Sequence, residues 1–230
     1  TQQGTEFFIS KGVSPEIASL NLDLVKKKLQ DPVEGEGWTP QQCESAELEY
    51  KRYLHLCKKY GKGMVPNKIM DKFWHHHILD TIPYHKDCKK VFGHYLHHFP
   101  YFGMRGEKDA EKLRASFIRT KELYYETFGE PMARNEHTDC WHDCEDRCWH
   151  ACSDGKPLEE ADELIYPDSI TPARVSYLTN KGMLSEIASL DFEMIKKKLQ
   201  EKDEGAGWSP EQCEIAEVEY KRYLHLCKKY

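Results

Sequence analysis

The segment Lys51–Tyr60 recurs without change as Lys221–Tyr230. Shorter words recur at the same offset. Glu16-Ile17-Ala18-Ser19-Leu20 returns as Glu186-Ile187-Ala188-Ser189-Leu190, and Lys26-Lys27-Lys28-Leu29-Gln30 as Lys196-Lys197-Lys198-Leu199-Gln200. Trp38 matches Trp208, and Cys43 matches Cys213. The offset is about 170 residues, the size of a domain rather than of a solenoid unit. The expected organisation is therefore a complete helical, His-rich domain over residues 5–130, an acidic Cys/His-rich linker over 131–170, and the first two helices of a truncated second copy over 171–230. The abrupt start at Thr1 and stop at Tyr230 read as an excerpt of a longer tandem protein, with a partial duplication as the alternative.

Helical signals dominate, and the expected fold class is all-α, a helical bundle. Ser14-Pro15-Glu16 is a start signal, with a capping residue, a proline in the first turn and an early acid. Ile17, Leu20, Leu22, Val25 and Leu29 supply an apolar stripe that Gly35 and Gly37 end. Thr39-Pro40 opens a second helix, whose stripe runs through Cys43, Ala46, Leu48, Tyr50, Tyr53, Leu54 and Cys57. Pro66 opens a third, carrying Ile69, Met70, Phe73, Trp74, His77 and Ile78, and Pro83 predicts a break. A fourth helix is expected over 84–92, an aromatic loop over 96–106 and a fifth helix over 109–128. No segment alternates convincingly enough to predict a strand.

The net charge of −6 gives no nucleic-acid footprint, and the lysines interleave with acids as on a solvated helix face. No apolar run approaches the roughly 18 residues of a membrane span. Nine cysteines, mostly single in helical patterns, favour a reducing, cytoplasmic setting; oxidation of the cysteine cluster would instead favour secretion.

Seven of the twelve histidines lie between positions 75 and 98: His75, His76, His77, His85, His94, His97 and His98. Neutral imidazole is the commonest transition-metal ligand near neutral pH, so the clustering is a metal signal. Helical geometry places His77 with Phe73 and Trp74 on the core side, His75 at the boundary four residues after Asp71, and His76 on the polar side. Residues two apart on a helix point about 200° apart, so His75 and His77 need partners from elsewhere, and His97 and His98 are the candidates. Asp80 is placed to orient the His77 ring from behind. Histidines beside Trp and Tyr are also often core or rim residues satisfied by hydrogen bonds, which is the plain alternative.

Phe73-Trp74-His75-His76-His77-Ile78-Leu79-Asp80, then Tyr84, Asp87-Cys88, Phe92-Gly93 and Leu96-His97-His98-Phe99-Pro100-Tyr101-Phe102-Gly103, resemble the glycine-rich domain-containing-protein-like family. Plant members are similar through a W-H-x-H segment followed by an Asp-Cys pair, and bacterial proteins of similar type through the His-His-Phe-Pro-Tyr-Phe-Gly run. The resemblance covers roughly residues 10–130, and 180–230 as a fragment. It implies a helical domain without an established activity, and it puts His75 and His77, not His76, at the motif positions. The glycine-rich tail of the family's name is absent from this sequence.

Cys140, Cys144, Cys148 and Cys152 are spaced every fourth residue, so a helix would line them along one face. Thiolates there suit Zn or Cu(I), with His142 and His150 as further ligands. Two disulfides, or an unmodified reactive linker, are the rivals. Three functions follow. The first is a metal-binding tandem-repeat protein using Zn, Cu or Fe at His75, His77, His97, His98 and the four cysteines. The second is a disulfide-stapled interaction module repeated for avidity, which self-associates or meets a protein partner through the incomplete second copy. The third and weakest is a metal-dependent enzyme, because no catalytic motif is recognisable.

Overall fold

A computed structural model describes residues 2–61, 63–132, 151–153, 178–179, 183–201 and 206–229. The fold is all-α. By its internal contacts the chain divides into two compact units, Thr1–Glu160 and Ala161–Tyr230.

The first unit begins with α1 (Gln2–Ser10), α2 (Pro15–Ala18) and α3 (Asp23–Gln30). Then come α4 (Pro40–Tyr60), α5 (Lys68–Leu79), α6 (Thr81–Phe92) and α7 (Glu107–Phe128). The stripe expected as one helix is two, α2 and α3. Leu20 and Leu22 are both buried, and residues two apart cannot share one face of a continuous helix. The intervening turn lets both point inward.

Thr39 and Gln42 form a reciprocal capping box at the start of α4. This helix is the axis of the unit and packs against α2, α3, α5 and α7. Its apolar side is buried through Tyr50, Tyr53, Leu54 and Leu56, while Leu48 is half-buried. Charged residues are buried with them. Lys51, expected on a solvated face, donates to the carbonyls of Ala18 and Leu20, each at 3.1 Å, and pairs with Glu47 at 2.8 Å. The Phe8 ring of α1 lies 3.8 Å from its ammonium. Burial pushes this lysine's pKa down, against the pull of Glu47. The interaction holds the α2–α3 turn to α4 through backbone carbonyls that would otherwise be unpaired.

The break between α5 and α6 falls at Asp80, which ends one helix and begins the next, and not at Pro83. Pro83 is in the first turn of α6, where no intrahelical donor is required of it. Between α6 and α7 lies β1 (His97–Phe99), paired antiparallel with β2 (Ala151–Ser153) in the register His97 to Ser153, His98 to Cys152 and Phe99 to Ala151. Sequence alternation did not predict these two short strands. Gly103 has φ of +92°, a conformation that favours glycine, and a Cβ there would lie 2.6 Å from Leu113 Cδ2, so any other residue would be strained and would push the Leu113 side chain of α7 aside.

The second unit contains α8 (Ser185–Ala188), α9 (Glu193–Gln200) and α10 (Pro210–Lys229). A small core joins Leu178, Met183, Ile187 and Ala188 to Val218 and Leu224. No described helix is long and apolar enough to cross a membrane.

Candidate metal centre

Three ligand-type side chains converge between α5 and β1. Asp71 lies in the first turn of α5, after the Asn67 cap whose side chain accepts from the Met70 amide at 2.9 Å. His75 follows one helical turn later, and a step of four residues puts the two on one face. His98 arrives from the centre of β1. His75 Nε2 and His98 Nε2 are 2.9 Å apart. His98 Nε2 lies 3.1 Å from Asp71 Oδ1, and His75 Nε2 lies 3.4 Å from Asp71 Oδ2. A metal with bonds of about 2.1 Å requires ligand separations of about 3.0 Å at octahedral angles and about 3.4 Å at tetrahedral ones. The two distances to Asp71, 3.1 and 3.4 Å, fall in that interval, and the 2.9 Å between the imidazoles lies just below it.

The environment is asymmetric. Asp71 is buried and His98, half-buried as a residue, keeps only 7% of its side-chain exposure, whereas the His75 side chain retains 45%. Solvent reaches the cluster from the His75 side. The carboxylate also lies near the helix N-terminus, whose dipole favours negative charge.

Of the histidines expected as ligands, the structure brings together His75 and His98. His77 is completely buried, and both of its ring nitrogens are engaged: Nδ1 lies 3.0 Å from Tyr50 Oη and Nε2 lies 3.3 Å from Asp87 Oδ2. Its ring meets the edges of Tyr50 and Tyr84, making it a tie between α4, α5 and α6. Asp87 orients the His77 ring, the place expected for Asp80. His97 packs its ring 4.8 Å from Tyr95, and burial, with His94 nearby, pushes its imidazole below the ordinary value. Strand alternation sends adjacent residues to opposite faces, so His97 and His98 part company. His76 faces Glu36 at 3.7 Å, and Glu36 also pairs with Lys72. These partners hold the Glu36 carboxyl down to about 2.

Cys140, Cys144 and Cys148, with His142 and His150, lie outside the described residues. Cys152 is placed by its backbone alone, opposite His98 across the strand pair. Asp71 is the member that the histidine pattern did not single out. Its signal was the four-residue step to His75, read there only as a marker of helix face. Among the described residues a second cluster gathers Glu193, Glu214 and Glu217, but Lys196 already occupies it, 2.7 Å from Glu214 and 3.1 Å from Glu217.

Fold and site together define an all-α protein with a two-histidine, one-carboxylate cluster between a helix and a short strand. Residues 23–122 match a family described as UCP032817-like, a description that names no activity and no glycine-rich domain. The matched stretch runs from α3 into α7 and includes Asp71, His75 and His98. No curated protein and no solved structure matches the chain.

Proposed function

We propose that this chain binds a transition metal through Asp71, His75 and His98. The observation that carries the reading is the convergence of three ligand side chains from two separate elements, with the two imidazole Nε2 atoms 2.9 Å apart and one carboxylate oxygen at 3.1 Å from His98 and the other at 3.4 Å from His75. Two imidazoles and one carboxylate suit Zn, Fe or Cu, and together carry one negative charge to set against a dication. Three protein ligands with a solvent-facing side leave positions for water or a small ligand, as metal sites that do chemistry require. The same distances suit a hydrogen-bonded triad, and elemental analysis separates the two. Protein purified anaerobically without a chelating column should carry close to one equivalent of metal. His98→Ala and Asp71→Ala should lose it, and His77→Gln should keep it. Metal-free wild-type protein that takes up neither Zn(II) nor Co(II) would end this reading.

The matching segments around residues 14–60 and 184–229 support a second copy of the same helical unit within the chain. The resemblance to the glycine-rich domain-containing-protein-like family belongs with this reading, and the buried free thiols of Cys43, Cys88 and Cys213 fit a reducing, cytoplasmic setting. A second reading, a protein-interaction module, draws on α10. Tyr220, Tyr223 and Leu226 are exposed there, although their sequence counterparts Tyr50, Tyr53 and Leu56 are buried. Sedimentation over a wide concentration range tests it, because a strictly monomeric chain would remove self-association through this face.

A further inference from the structure

Trp74 touches both histidines of the site by different means. Its backbone directly precedes His75 on α5, and its ring centroid lies 4.5 Å from that of His98. The indole is completely buried, so its N–H needs a partner inside the protein. It donates to Tyr84 Oη at 2.9 Å. Tyr84, equally buried, donates in turn to the Leu96 carbonyl at 2.5 Å, two residues before His98. One indole–phenol pair therefore ties down the chain entering β1 and also packs against the ring that β1 carries. His98 comes from a three-residue strand between two loops, whereas Asp71 and His75 share one helix. It is the ligand whose position most needs outside support.

Resting on the metal reading above, we infer that Trp74 and Tyr84 are positioning residues that hold the His98 imidazole in coordinating orientation. Ligands held by their surroundings bind without first being ordered, and loss of such support weakens metal binding about 10- to 100-fold. The pair explains why the site needs α6, which contributes no ligand. It also gives a reason for a buried Trp–Tyr hydrogen bond where two apolar rings would pack as well.

The test uses Co(II) as probe on the full chain. Affinity is read by competition with a chelator, and coordination by the visible d–d absorption bands. Tyr84→Phe keeps the ring and removes the oxygen that joins Trp74 to Leu96. It should weaken Co(II) binding about 10- to 100-fold and shift the d–d bands. Leu123→Ala, a core change on α7, serves as the stability control and should leave affinity and bands in place while lowering the melting temperature. If Tyr84→Phe does not fold, Trp74→Phe is measured instead, because it keeps an aromatic ring against His98 but has no N–H for Tyr84. Wild-type affinity and bands in the folded variant would overturn the inference and leave the metal site standing. Failure of the wild-type chain to bind Co(II) would remove both.

Discussion

The two units present the same helix in two environments. Both versions anchor it alike: the Lys51 ammonium reaches the Ala18 carbonyl at 3.1 Å and Lys221 reaches that of Ala188 at 3.0 Å. Cys43 and Cys213 each contact a lysine carbonyl at 3.7 Å, that of Lys26 and Lys196 respectively. His55 Nδ1 accepts from the Ser14 amide at 3.2 Å and His225 Nδ1 from that of Leu184 at 3.3 Å. The opposite face differs. In the first unit Tyr50 stacks on Phe73, Tyr53 packs against Trp74, and Tyr50 meets His77, so α5 covers the helix. In the second unit Tyr223 keeps 60% of its exposure, against none for Tyr53. The anchoring turn is thus local and is made by residues within about 45 positions, whereas burial of the tyrosine face depends on another helix. The helix that supplies this cover also supplies Asp71 and His75.

The largest expected effect follows from this contrast. Tyr53→Ala should destabilise the first unit by about 3–5 kcal/mol, the range for deleting a fully buried aromatic ring. It also removes the phenol that donates to the Met64 carbonyl at 3.2 Å. The matched change Tyr223→Ala should stay within about 0.5 kcal/mol, as for an exposed residue without a structural role. Hydrogen exchange read separately on peptides from α4 and α10 measures both. Equal losses would mean that the second face is covered in solution, and the comparison would fail.

Metal should act on one unit alone. At a free concentration one hundred times its dissociation constant, a ligand stabilises the folded state by about 2.7 kcal/mol. Added Co(II) should therefore slow exchange in α5 and β1 and leave α8 and α9 unchanged. Slowing of α9 instead would point to the Glu193, Glu214 and Glu217 group as the site.

A somewhat smaller contrast concerns Arg52 and Arg222. Arg52 is buried, donates to Tyr124 Oη at 2.9 Å and to the Lys11 carbonyl, and pairs with Glu130. Tyr124 Oη donates onward to Glu49 at 2.7 Å, and burial with that carboxylate pushes its phenol well above the ordinary range. Arg222 sits on the surface, paired with Glu219. Arg52→Met should cost about 2 kcal/mol, because it leaves the buried Tyr124 hydroxyl and the part-buried Lys11 carbonyl without their donor. Arg222→Met should be nearly neutral. Urea unfolding followed by exchange in each unit distinguishes them.

The helices were legible in the sequence because caps, prolines and apolar stripes agree at the same positions. Where they failed, one physical rule had been passed over or was absent. Leu20 and Leu22 both needed burial, and that spacing alone excludes a single helix. The α1 helix offers adjacent Phe7 and Phe8 rather than a stripe, so periodicity was silent. Buried Lys51 and Arg52 looked like a solvated charge pattern, because the carbonyls and tyrosine that receive them lie far away in sequence. At the site, helical geometry gave the inward face of His77 and the boundary place of His75, but His77 was expected as a ligand and is instead engaged by Tyr50 and Asp87, and the four-step Asp71–His75 pair was not taken as part of the site. Which of His97 and His98 would join them was not readable, since it depends on the strand register and on Trp74.

The smallest predicted effect is also the one that bears most directly on how α5 is held. Glu36 joins the loop before α4 to Lys72 and His76, on the outer side of α5. At the offset that aligns Trp38 with Trp208, its counterpart is Ala206, so the second unit has no equivalent carboxylate. Hydrogen bonding to His76 and Lys72 holds the Glu36 pKa down to about 2, below the ordinary 4.5. A folded-state pKa below the unfolded value means that the contribution is present above about pH 4.5 and is lost as pH falls towards about 2. Because the pair is partly solvated, its contribution is on the order of 1 kcal/mol. Glu36→Gln should therefore lower stability at pH 6 by about that amount, and the difference from wild type should vanish near pH 2. Stability curves measured between these pH values, with exchange followed in α5, check the sign. A difference that persisted unchanged at the acid end would mean that Glu36 holds α5 by packing rather than by charge.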